Sequence, residues 1–211
     1  VPRVLGPYVK MHGGCRGNHA PLDAFLTLCR THGVTDTDLR SVSVYVDRHT
    51  LAAEIEHPAT PAQAQFSIAF AFAVAAVHGE TSAFAFTERR LTDPRVRALM
   101  SKVEVRHDPA LDADYPSKRA ARVSIETSSG THTLALDYPA GEAENPVENE
   151  GLVRKYDELA RPVLGDDTDR VRDIVLDLDR QSSPAPLLDA LERTRAASGA
   201  VATTHDQAVA S

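Results

Sequence analysis

From Ala64 to His78 the chain reads AQFSIAFAFAVAAVH, with apolar residues at nearly every position instead of on one face. A helix of that composition has no side to show to water, so the rest of the chain has to surround it. Thr60-Pro61-Ala62-Gln63 supplies a capping box with proline at the first helical position, and Gly79 supplies a stop. The reading is one central core helix running from 61 to 78. Ser67 lies inside it with its hydroxyl bonding back to the backbone.

Strands and amphipathic helices flank that core. Pro21 to His32 places Leu22, Phe25, Leu26 and Cys29 on one helical face, with Gly33 as the stop. Residues 41–48, SVSVYVDR, alternate Val42, Val44 and Val46 against polar neighbours, the period-two pattern of a half-buried strand. A short helix over 92–101 leads into the strand 103–107, and two alternating runs around Ser128-Ser129-Gly130 form a β-hairpin. Residues 1–140 therefore read as an α+β domain with an antiparallel sheet. At Gly141 the periodicity changes to helical. Asn145-Pro146-Val147-Glu148 opens a helix, and two more follow at about 168–180 and 185–197, so 141–197 form a helical segment before a flexible tail at 198–211.

Charge and cysteine usage narrow the function. The net charge is −7, and residues 141–180 hold twelve Asp and Glu against six Lys and Arg, while 1–140 balance at fifteen each. That distribution lacks the basic footprint of a nucleic-acid binder, so no nucleic-acid partner is expected. No apolar run reaches the roughly 18 residues of a membrane span. The chain starts at Val1-Pro2-Arg3 without a secretory pattern. With two cysteines, Cys15 and Cys29, the expectation is a cytoplasmic protein without a disulfide framework and without a membrane partner.

The chemistry concentrates between Lys10 and His19, where KMHGGCRGNH gathers two cations, two imidazoles and a thiol among three glycines just before a helix start. Backbone amides and cations in such a loop suit an anionic ligand. Lys10, His19 and Cys15 are the catalytic candidates, and Lys10, Arg16, His12 and His19 the substrate-binding ones. Cys15 needs His12 or His19 as base to act as a nucleophile, with a structural thiol as the plain alternative. His12, Cys15 and His19 match no standard zinc spacing, and neither a metal nor another cofactor is expected.

Taken in order, these pieces resemble the MmgE/PrpD family, which includes 2-methylcitrate dehydratases, cis-aconitate decarboxylases and some epimerases. Lys10 followed by Cys15-Arg16 and His19 resembles that family's lysine, aromatic-proline, cysteine-arginine and histidine loop, with Leu22-Asp23-Ala24 opening the next helix. The helix at Ala64 to Phe70, Asp93-Pro94, the hairpin at Gly130, and Gly141 with Asn145-Pro146 and Lys155-Tyr156 continue the series, over roughly residues 4–165. The resemblance implies a small lid-type α+β domain followed by helices that belong to a largely missing all-helical domain, which supplies further catalytic histidines. It implies a lyase acting on small polycarboxylic acids, with this chain either a fragment of a longer protein or the partner of a separate N-terminal helical subunit, and further oligomerisation. Lys10 would bind or polarise a carboxylate while a proton leaves the neighbouring carbon. Two departures stand out: Phe70 replaces a tyrosine, and His12-Gly13 replace the aromatic-proline pair. They leave open a non-catalytic binding subunit, or an isomerase using the Cys15 thiol.

Overall fold

Valines at every second position build the inner face of a four-stranded sheet. Strand β1 (Ser41–Val46) buries Val42, Val44 and Val46, and β3 (Ala121–Thr127) buries Ala121, Val123 and Ile125. Their antiparallel register sets Val44 against Val123 and Val42 against Ile125, so the apolar face is continuous. The hairpin expected around Gly130 joins β3 to β4 (Gly130–Leu136). Strand β2 (Val103–His107) pairs with β1 in parallel, giving the order β2-β1-β3-β4. The expectation of an antiparallel sheet is thus corrected at one pair, and the sheet is mixed. Alternation carries no direction, and the long helical connection between β1 and β2 returns the chain the same way round.

The computed structural model describes residues 8–193, which divide into two compact units between Val147 and Glu148. In the first unit α1 (His19–His32) lies over β3 and β4, after a 3₁₀ turn at Arg16–Asn18. Helix α2 (Arg48–Ala53) follows β1 and is capped by the Asp47 carboxylate. The apolar run becomes α4 (Ile68–His78), preceded by α3 (Pro61–Ala64) and followed by α5 (Glu88–Leu91) and α6 (Pro94–Met100). Helix α4 packs on α1, α6 and β2, and no residue from Ile68 to Ala75 is more than 6% exposed. Phe72 stacks on Phe25 of α1 with ring centroids 4.4 Å apart. Each such ring contributes roughly 1.5–3 kcal/mol by leaving water.

The single helix expected from 61 to 78 is two helices. Half of the capping box forms, with Thr60 Oγ1 accepting the Gln63 N–H, while Gln63 Oε1 reaches one residue further back to accept the Ala59 N–H, and α3 ends at Ala64. Ser67 is therefore not an interior residue; it is the N-cap of α4, its hydroxyl accepting the Phe70 N–H. Both oxygens of Glu54 accept the Ile68 N–H, at 3.1 and 3.0 Å. Together these acceptors satisfy amides that a helix start leaves orphaned, so the break is stabilised from outside the apolar run.

In the second unit α7 (Asn149–Leu164) starts after Glu148, later than the Asn145-Pro146 pair suggests. Asn145 is committed elsewhere: its side chain donates to Tyr138 O and its carbonyl accepts the Gly141 N–H. Tyr156 of α7 donates to Thr168 O at the start of α8 (Thr168–Leu176), and residues 185–193 are again helical. The last residues of the helix expected to 197, and the tail from 198, lie outside the described residues. Among those described, no helix is long and apolar enough to cross a membrane.

Glu54 makes stability depend on pH. Burial pushes its carboxyl from 4.5 up to about 7, outweighing the opposing pull of the Ile68 amide. The folded chain then keeps a proton that the unfolded chain releases between 4.5 and about 7, so stability is full below that window and falls as pH rises through it. The expected loss is on the order of 3 kcal/mol. Urea unfolding across this range checks it, and Glu54→Gln, which keeps an oxygen for the Ile68 amide, should flatten the decline.

Candidate active site

The break between α3 and α4 leaves the Gln65 carbonyl outside any helical ladder, and the loop before α1 uses it. Gln65 O accepts the Cys15 N–H at 2.7 Å and the Asn18 side-chain amide at 3.2 Å. Two residues earlier the Gly13 N–H donates to Thr81 O at 2.7 Å. The loop is thus tied down on the connections at both ends of α4. Gly14 sits at φ +86°, and a Cβ there would lie 2.8 Å from Gln65 O. Close approach to that carbonyl therefore requires glycine. At the other edge the Val9 N–H donates to Gly141 O, and a Cβ on Gly141, at φ +95°, would lie 2.0 Å from Val9 O.

The fastened loop brings His12 and His19 together, with ring centroids 5.5 Å apart and planes tilted by 45°. His12 Nε2 lies 2.8 Å from Asp23 Oδ1, and Asp23 Oδ2 accepts the Ala140 N–H at 2.8 Å. His12 Nδ1 is buried and has no hydrogen-bond partner among the described residues. His19 is buried at the first position of α1.

The cations are placed differently. Arg16 donates through Nε, at 2.9 Å, and through Nη2 to the same oxygen of Glu142, and its guanidinium lies 4.0 Å over the Tyr8 ring. Its charge is already met by a carboxylate. Lys10 is exposed, and its Nζ donates to Gly14 O at 2.8 Å. Cys15 hydrogen-bonds through its backbone, and the residue is half-buried with its thiol free of any disulfide. Cys29, on α1, is held as a neutral thiol because burial pushes its pKa up to about 11. Phe70 is fully buried and packs at 5.8 Å from Phe86.

Of the residues that stand out in the sequence, the structure brings His12 and His19 together; Asp23 as a partner, Glu142 and the two anchoring carbonyls do not stand out there. Asp23 reads as an ordinary residue of an amphipathic helix, and Glu142 lies 126 residues from the arginine it meets. A cleft of about 490 Å³ lined by Pro58, Ala69, Leu91, Arg97, Met100 and Val103 touches none of the loop residues. Its arginine is turned onto Leu91 O, and no cluster of potential metal ligands occurs among the described residues.

A mixed sheet carrying a buried helix, with a glycine-bound Lys–His–Cys–Arg–His loop in front of α1, is the architecture to which known proteins can be matched. The model of the MmgE/PrpD C-terminal domain matches residues 12–180, and the chain belongs to the MmgE/PrpD family. It is similar to a cis-aconitate decarboxylase of Aspergillus terreus strain NIH 2624, 30% identical over 87% of this chain and 40% of the relative. Another cis-aconitate decarboxylase of Aspergillus terreus is 33% identical over 64% of this chain and 28% of that protein. A 2-methylcitrate dehydratase of Salmonella typhi is 30% identical over 56% and 26%. The chain therefore spans well under half the length of these relatives.

Gly14→Ala tests the fastening. Forcing a Cβ into that backbone region and against Gln65 O should lower unfolding stability by about 1–3 kcal/mol. The urea midpoint should fall with little change in slope; an unchanged midpoint would contradict the close approach.

Proposed function

We propose that this chain is the C-terminal part of a lyase that acts on small di- or tricarboxylic acids, breaking a C–H bond next to a carboxylate with loss of water or carbon dioxide. The observation that carries the reading is the fastened loop, which sets the half-buried His12 beside the buried His19 and carries Lys10 and Arg16 on the same ten residues, in a chain of this family. Carbon–hydrogen cleavage of this kind needs a base held in place and positive charge where the carboxylate and its developing enolate sit. Lys10 is the cation most open to exchange: its bond to Gly14 O is exposed, and a carboxylate is a stronger acceptor than a carbonyl. Arg16, held by Glu142, shapes the site and supplies charge only if that pair opens. Cys15 and His19 complete the set.

The catalytic unit in this reading includes an N-terminal helical half, supplied by a partner chain or by a longer version of this one, and assembles further. Two observations support it. The relatives are more than twice as long as the matched region. The second unit also leaves Val163, Leu176 and Leu188 more than half exposed, a density of apolar surface that ordinarily lies against another element. Phe70, sealed in the core where a tyrosine would bring a hydroxyl, favours a second reading as a non-catalytic binding subunit.

Activity separates the two. The chain, alone and together with the N-terminal half, is assayed against a panel of di- and tricarboxylates. The lyase reading expects turnover with both halves present, and Lys10→Met should lower kcat/KM at least about tenfold, one step of roughly 1.4 kcal/mol. Folding should be unchanged, since an exposed bond is lost. Binding of an acid without turnover would favour the non-catalytic subunit.

A further inference from the structure

Resting on the lyase reading, we propose that His12 is the proton acceptor this chain contributes, with Asp23 as the positioning residue that sets its tautomer. A carboxylate only accepts hydrogen bonds, and both oxygens of Asp23 are engaged: Oδ2 by the Ala140 amide and Oδ1 by His12 Nε2, each at 2.8 Å. Nε2 therefore carries the proton of the neutral ring. Nδ1 is left with its lone pair. That nitrogen is buried and unpartnered among the described residues, an arrangement that ordinarily destabilises a fold. Sites that keep such an atom commonly keep it for chemistry.

The pair is sheltered from solvent. The His12 and Asp23 side chains are 11% and 18% exposed. The next amide along, Gly13 N–H, is fastened to Thr81 O, so the base sits on a segment whose backbone has little freedom. His19 lies beside it, with the two ring centroids 5.5 Å apart. In the reaction the C–H bond next to the substrate carboxylate breaks and the proton passes to Nδ1, giving an imidazolium paired with Asp23. The electron pair of that bond forms the new carbon–carbon double bond. The neighbouring C–O bond breaks, and the hydroxide that departs is protonated by solvent. The chemistry matches a dehydration, with Asp23 stabilising the imidazolium as it forms.

Two substitutions test the roles in the two-part enzyme. His12→Gln retains an amide that donates to Asp23 but removes the base. It should lower kcat at least about a hundredfold with KM little changed, and should abolish the acidic limb of the kcat/KM profile. Asp23→Asn presents an amide that donates to Nε2, which moves the proton to Nδ1 and should lower kcat in the same way. Long-range ¹H–¹⁵N correlation spectra of the chain read the tautomer directly: wild type should show Nε2–H with an unprotonated Nδ1, and Asp23→Asn the reverse. A purely structural pair would not produce that inversion together with the loss of turnover. Turnover by His12→Gln within threefold of an active wild type, or a wild-type Nδ1–H tautomer, overturns the assignment while leaving the lyase reading in place. A wild type inert toward every acid with both halves present overturns the two together.

Discussion

Everything in the first unit follows from a helix that no surface can tolerate. With Ile68 to Ala75 buried on every side, α4 must be covered by α1, α6 and the sheet at once, and the alternating valines of β1 and β3 provide the floor. The same demand shapes how the helix begins. Its first amides emerge into an apolar environment, where unsatisfied donors are costly, and Glu54 and Ser67 are brought to them. Capping from outside lets the preceding turn stop at Ala64, and the stop frees the Gln65 carbonyl.

The proposed site depends on that carbonyl. A loop with three glycines would ordinarily sample many conformations, and a base placed on it would be poorly aimed. Here the Cys15 amide, the Asn18 side chain and the Gly13 amide are all fixed to the segments that enter and leave α4. The loop inherits the rigidity of the core helix, and the His12–Asp23 pair inherits it from the loop. Core and site are mechanically one structure.

The parts of this arrangement visible in the sequence are those encoded over short spans. Alternation in SVSVYV, the glycine that ends α1, and the cap at Thr60 each rest on a few neighbours, and β1, the end of α1 and the start of α3 form there, although α1 begins at His19, two residues before Pro21. The helix break was not legible, because Ser67 has the same composition whether it caps a new helix or sits inside an old one; the deciding group, Glu54, arrives from another element. Strand direction at β2 was hidden for a similar reason. The loop from Lys10 to His19 stood out by its density of reactive groups. Its pairing pattern did not, since Asp23 meets His12 across eleven residues and Arg16 meets Glu142 across 126. Family membership accounts for the order of landmarks, while His12 belongs to this chain's departures from the family pattern.

The loop is held by the core instead of resting on the surface. Amide hydrogen exchange at Gly13 and Cys15 measures this directly, because each amide is bonded to a carbonyl beside α4. Protection approaching that of the β1 and β3 amides is the expected result, despite the absence of regular secondary structure at both positions. Exchange at the rate of exposed loop amides would show that the loop is not fastened, and the site built on it would lose its foundation.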